Sequence, residues 1–114
     1  MHEASIAMSV LEAVIGQCRQ EGYASIESVT LKIGKASGVL PDALMFAFDA
    51  AKQGTIAAGA QLIIKEIPLT AICQNCGQQL ELEDKFLLEC PSCREKSLRI
   101  ATGYEMEIAE MEVN

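Results

Sequence analysis

An α+β fold is predicted for this chain: two helices packed on a small three-stranded mixed sheet, with a four-cysteine module inserted between two of the strands. Three observations predict it. Residues 1–68 switch between helical and strand periodicity in the order helix, strand, helix, strand. Four of the five cysteines fall in two Cys-x-x-Cys pairs between residues 73 and 93. A further run of strand periodicity follows them, and it is too long and regular to belong to the cysteine module alone.

A length of 114 residues suits one compact domain plus a small module. Half the residues are hydrophobic, but only 4% are aromatic and there is no Trp, so the core is aliphatic. Nine Lys and Arg against sixteen Asp and Glu leave a net charge of −7. A phosphate backbone repels such a chain, which argues against nucleic acid as a partner. No apolar run approaches the ~18 residues of a membrane span, so no membrane association is expected. The opening Met-His-Glu lacks the basic region of a secretory signal. A soluble, cytoplasmic protein is the expectation.

From Ser5 to Glu21, Ser5, Ser9, Glu12, Gly16 and Arg19 recur every three or four residues, with Ala7, Val10, Leu11, Val14 and Cys18 between them. This is an amphipathic helix, and Gly22 suits its left-handed stop. Over 27–33, Val29, Leu31 and Ile33 alternate with Ser28, Thr30 and Lys32, the period of a strand with one buried face. Pro41 fits the first turn of a second helix and Asp42 its positive end. Leu44, Met45, Phe48 and Ala51 supply its buried side, and Gly54 ends it. Leu62–Ile67 is a second strand, stopped by Pro68.

A third strand is expected from Leu98. In it Tyr104, Met106 and Ile108 alternate with Glu105 and Glu107, but Met111 and Val113 then alternate with Glu110 and Glu112. The apolar set moves from even to odd positions, which a β-bulge near Ala109 explains. Returned to the first sheet, this strand gives one domain over 1–68 plus 98–114 and a second over 69–97. The second has few large apolar groups, mainly Leu80, Leu82, Phe86, Leu87 and Leu88, and cannot bury enough surface to fold unaided.

Its staple is legible. Cys73-Gln-Asn-Cys76 and Cys90-Pro-Ser-Cys93 are separated by 13 residues. In a reducing compartment that pattern reads as a metal site rather than as disulfides. Four thiolates at ~2.3 Å complete a tetrahedron around Zn²⁺ and leave no position for water or substrate, so the site is structural, a zinc ribbon. Iron is the alternative, because Cys-x-x-Cys-Gly with Cys-Pro-x-Cys also occurs in rubredoxin-like carriers; redox thiols are another. Such carriers shield iron with aromatic side chains, and only Phe86 lies between these pairs. Residues 69–97 hold five acidic and three basic side chains, a poor surface for nucleic acid. Cys18, on the apolar helix face, reads as a small core residue; an additional metal or redox ligand is its functional alternative. The glutamates at 105, 107, 110 and 112 read as a solvated strand face, or more boldly as a docking edge for a basic patch.

The one histidine is His2. A lone histidine near a terminus is ordinarily exposed and idle. Its position here permits more. Imidazole Nδ1 and the His2 backbone nitrogen can close a six-membered chelate ring, and that nitrogen and the Met1 amine a five-membered one. The Glu3 amide or carboxylate can add a fourth donor. A plane of nitrogens favours Ni²⁺ or Cu²⁺ over Zn²⁺. Bulky His2 should also block removal of Met1. Neither a general base in a pocket nor a nucleophile arrangement is found, so a carrier is expected rather than an enzyme.

Met1-His2-Glu3 combined with Cys73-x-x-Cys76 and Cys90-x-x-Cys93 resembles the HypA/HybF family, nickel metallochaperones of [NiFe]-hydrogenase maturation. The likeness extends through Lys32-Ile33-Gly34, Ser37 and Val39, Leu44 with Phe46, Phe48 and Asp49, Gly54-Thr55, Ala58-Gly59 ahead of Leu62, and Thr102-Gly103-x-Glu105. The resemblance implies that the Met1 amine, His2 and the Glu3 backbone hold nickel as transient cargo, and that Cys73, Cys76, Cys90 and Cys93 hold structural zinc. It implies delivery to the hydrogenase large-subunit precursor with the maturation GTPase HypB, urease maturation proteins as further partners, and a monomer or weak homodimer. Some members carry histidines beside the cysteine pairs that respond to acid; here no imidazole flanks them. A structural zinc-ribbon adaptor without nickel function is the competing reading.

Overall fold

The computed structural model describes residues 2–83 and 87–114. Helix α1 spans Glu3–Glu21, strand β1 Ile26–Gly34, helix α2 Pro41–Ala51 and strand β2 Gln61–Ile67. Strands β3 (Leu69–Cys73), β4 (Gln79–Leu82), β5 (Leu98–Thr102) and β6 (Met106–Val113) follow. They form two three-stranded sheets, ordered β2-β1-β6 and β4-β3-β5. The first is mixed, with β1 parallel to β2 and antiparallel to β6. The second is antiparallel. Two helices on a small mixed sheet with an inserted ribbon is the expected architecture.

Sequence periodicity accounts for most of the core. Helix α1 buries Ala7, Val10, Leu11, Val14 and Cys18, the apolar face read from its spacing. It ends at Gly22, whose φ of 81° directs the chain so that the Gly22 and Tyr23 N–H groups both donate to the Cys18 carbonyl. Val29, Leu31 and Ile33 of β1 meet Leu44 and Phe48 of α2 and Leu62 of β2 in a single cluster. Cys18 is wholly buried in it, and that burial raises its thiol pKa. A core role, not metal binding, fits that setting.

Three details depart from the sequence reading. Met45 is exposed, because Leu44 and Phe48 already take the buried line of α2 and Met45 lies about 100° around the helix from Leu44. Helix α2 stops at Ala51 rather than at Gly54, and Lys52 caps it while its Nζ donates to the Ala60 carbonyl at 2.8 Å. Thr30 and Ser28, assigned to an open face, are buried. The reason is that β1 is the central strand: Thr30 lies between Ile63 of β2 and Glu110 of β6.

The bulge near Ala109 is present. Thr30 pairs with Glu110 and Leu31 with Ile108, leaving Ala109 as the extra residue. The single long strand from Leu98 is corrected, however. Leu98–Thr102 pairs with β3 in the ribbon sheet, and only Met106–Val113 returns to β1. A small ribbon core of Leu69, Ala71 and Leu82 needs that third strand, with Leu98 packed against it. Strand alternation runs through both segments, so periodicity alone could not place the break.

The break is Gly103, with φ 126°. Here the two sheets cross. The Ala36 N–H donates to the Gly103 carbonyl and the Gly34 N–H to the Glu105 carbonyl, both at 2.8 Å. Glu105 Oε1 accepts the Gly103 N–H at 2.8 Å, and Thr102 Oγ1 donates to the Pro68 carbonyl at 2.8 Å. A Cβ on Gly34 would lie 2.0 Å from the Gly103 oxygen. That atom is backbone, so it cannot swing aside. Gly34→Ala is expected to destabilise by about 2 kcal/mol or more. Gly16→Ala, where nothing lies within 4 Å in mid-helix, should stabilise by roughly 0.5–1 kcal/mol. Urea denaturation of both variants checks the contrast.

Candidate metal centre

Two tight turns carry the four paired cysteines. The first leaves β3: Gly77 N–H donates to the Cys73 carbonyl at 2.8 Å, and Cys73 N–H to the Gln78 carbonyl at 3.0 Å. The second repeats it. Arg94 N–H donates to the Cys90 carbonyl at 2.8 Å, and Cys90 N–H to the Glu95 carbonyl at 3.0 Å. In each, the residue after the second cysteine is left-handed: Gly77 at φ 78° and Arg94 at φ 68°. Arg94 is the only non-glycine residue with positive φ among the described residues. It bears a strain that glycine avoids at the matching place. Ser92 Oγ donates to Gln78 Oε1, and Gln74 N–H donates to the Ser97 carbonyl at 2.9 Å, tying the two turns together.

The turns converge on one point. All four Sγ atoms lie within 4.8 Å of one another, with Cys73–Cys93 at 3.6 Å and Cys76–Cys90 at 3.8 Å. A tetrahedron with ~2.3 Å metal–sulfur bonds has edges of about 3.8 Å, so the donor set fits such an ion. Cys73 and Cys90 are buried, Cys93 is half-buried and Cys76 is exposed. The residues also prepare unequal thiols. Asn75 Nδ2 donates to Cys93 Sγ at 3.5 Å, and with the Glu95 N–H it brings that thiol down to about 7. The Gln78 N–H lowers Cys76, but desolvation and its thiol neighbours outweigh it and push the group up to about 11. Asn75 was not singled out in the sequence. A donor side chain between two cysteines is the signal that could have found it. Phe86, the one aromatic side chain between the pairs, lies outside the described residues.

His2 and Glu3 sit at the other end of the sequence and do not join this cluster. Met1 lies outside the described residues. His2 is exposed at the start of α1, and its imidazole makes no capping hydrogen bond. Glu3 opens the helix. Its carboxylate Oε2 accepts the Leu40 N–H at 3.1 Å, and that bond holds its carboxyl below the usual range. The link was not legible in the sequence, because it joins residues 37 apart.

Two outcomes follow from this geometry. Cys73→Ala or Cys90→Ala should unfold the ribbon and spare the helices, read as retained far-ultraviolet helical signal; its loss would mean that the two units fold as one. Metal uptake at neutral pH should expel protons, that of Cys76 among them, so affinity should rise with pH; a flat profile in a competition titration would contradict thiolate ligation.

The sequence and the fold have counterparts among known proteins. The family model described as "Hydrogenase/urease nickel incorporation, metallochaperone, hypA" matches residues 1–113. A hydrogenase maturation factor HypA from Roseiflexus sp. (strain RS-1) is 42% identical over 112 residues, covering 98% of this chain and 91% of the relative. Another from Chlorobium limicola is 41% identical over 113 residues, covering 99% and 97%. The solution structure of the Ni metallochaperone HypA from Helicobacter pylori shares the fold with a TM-score of 0.67 at 23% identity, over 99% of this chain and 97% of that one. A second HypA solution structure aligns with a TM-score of 0.75 over 100% and 97%. With a whole-length family match and relatives above 40% identity, the chain belongs to the HypA family of nickel metallochaperones.

Proposed function

We propose that this protein binds Ni²⁺ at its amino terminus and releases it to the maturing [NiFe]-hydrogenase, while a structural Zn²⁺ holds the ribbon. The observation that carries the nickel site is the setting of His2. It is exposed at the first residue before α1, its imidazole is not spent on capping the helix, and Glu3 follows with its carboxylate engaged by Leu40. The Met1 amine, the His2 backbone nitrogen and Nδ1, and the Glu3 backbone nitrogen are then the four donors. Amides in the first turn of a helix have no intrahelical acceptor, so giving up the Glu3 N–H costs α1 no bond. A planar nitrogen set suits Ni²⁺, and an exposed one lets it leave.

Zinc is assigned to Cys73, Cys76, Cys90 and Cys93 because four thiolates at tetrahedral spacing close the coordination shell. The role is non-enzymatic. The partners are the hydrogenase large-subunit precursor, to which nickel is delivered with help from the maturation GTPase HypB, and, through the urease branch of the family description, urease maturation proteins. A cytoplasmic setting suits thiols that must stay reduced; among the described residues, no helix is long and apolar enough to cross a membrane. The nickel-bearing unit comprises the first sheet with its two helices.

Calorimetric titration tests the site. Protein beginning at Met1 and loaded with zinc should take up one further Ni²⁺ per chain, whereas His2→Ala, or residues added ahead of Met1, should abolish that uptake. Unchanged nickel binding in both would remove the amino-terminal site. One retained zinc and no nickel uptake in the native protein would make it an adaptor instead.

A further inference from the structure

The helix layer covers only part of the outer strand of the first sheet: Met111 and Val113 of β6 pack against the core, and the start of the strand does not. Helix α1 buries Val10 and Val14, yet Met106 and Ile108 of β6 stay 48% and 40% exposed. An open apolar groove of about 480 Å³ runs between helix and strand. Leu31 lies at its floor, with Ile6 and Val10 on one wall and Met106 and Ile108 on the other. Strand β6 is also an edge: β1 lies on one side of it and, among the described residues, no strand lies on the other. Its outward N–H and C=O groups are therefore open to a further strand.

The opposite face of β6 carries charge. Glu107 and Glu110 pair with Lys32 and Thr30 of β1, while Ile108 and Met111 pair with Leu31 and Val29. The bulge at Ala109 makes this possible. Without the extra residue, positions 107 and 110 would point to opposite faces; with it, the glutamates form one row and the apolar residues another. Glu107, Glu110 and Glu112 are all exposed, and none is in an ion pair among the described residues.

An occupant of this edge must offer strand hydrogen bonds, apolar side chains toward the groove and positive charge toward the glutamates. We propose that β6 and its groove dock an extended segment of a partner protein in which apolar residues alternate with Lys or Arg, added as a fourth strand to the first sheet. A second copy of this chain does not meet the charge requirement. Edge-to-edge antiparallel pairing about a two-fold axis keeps like faces on the same side, so acidic row would meet acidic row. This surface is independent of the nickel donors, and its test needs no nickel.

A labelled synthetic peptide of alternating Lys and Val, added to the full zinc-loaded protein, is the probe. Binding should slow hydrogen exchange at the β6 amides and should weaken about tenfold in the double variant Glu107→Lys/Glu110→Lys. N-methylation of alternate peptide amides, which leaves the protein untouched, should weaken it similarly. The proposal is overturned if the methylated peptide or a scrambled one of the same composition binds equally well. It is also overturned if protection appears away from β6, or if the protein self-associates through this edge in sedimentation.

Discussion

Both halves of the molecule depend on the close approach of Gly34 to Gly103. The chain leaves the first sheet at Ile67, builds the ribbon, and must come back beside β1 for β6 to pair. At the return point the two backbones lie so near that a single methyl at Gly34 would overlap the Gly103 carbonyl. Pro68, Thr102 and Glu105 hydrogen-bond around this crossing and fix the direction of each strand through it. One sheet can therefore contain a whole second unit between two of its strands, with only two chain passages to order.

That arrangement assigns the two units different sources of stability. The first buries a continuous aliphatic core between two helices and three strands. Among the described residues the ribbon buries only Leu69, Ala71 and Leu82 besides the thiols of Cys73 and Cys90, too little to offset the entropy of ordering its turns. Four thiols at tetrahedral spacing can hold an ion that supplies what this core lacks. The closed sulfur shell also has a functional consequence. An ion held by four thiolates has no open position, whereas one at a chain terminus can be exchanged. In the proposed function, holding and delivering are thus separated in sequence and in ligand chemistry.

Much of this was legible in the amino-acid order. Helical spacing gave the buried face of α1, alternation gave Val29, Leu31 and Ile33, and the phase change at Ala109 gave the bulge. The paired cysteines announced their site because spacing in a Cys-x-x-Cys turn is local. What stayed hidden was long-range. Leu98–Thr102 and Met106–Val113 carry the same strand signal, and only the glycine crossing and the need of β3 for a partner divide them between sheets. The burial of Thr30 likewise depends on β1 having a neighbour on each side. The bond from the Leu40 N–H to Glu3 joins two segments that no local pattern relates.

The most direct measure of the account is X-ray absorption at the nickel edge of zinc-loaded protein that begins at Met1 and carries one added nickel. Nickel should show a planar shell of four nitrogen neighbours with an imidazole scattering signature that disappears in His2→Ala. Sulfur neighbours around the nickel, or an identical spectrum in the variant, would place the ion among the cysteines and contradict the separation of cargo from scaffold.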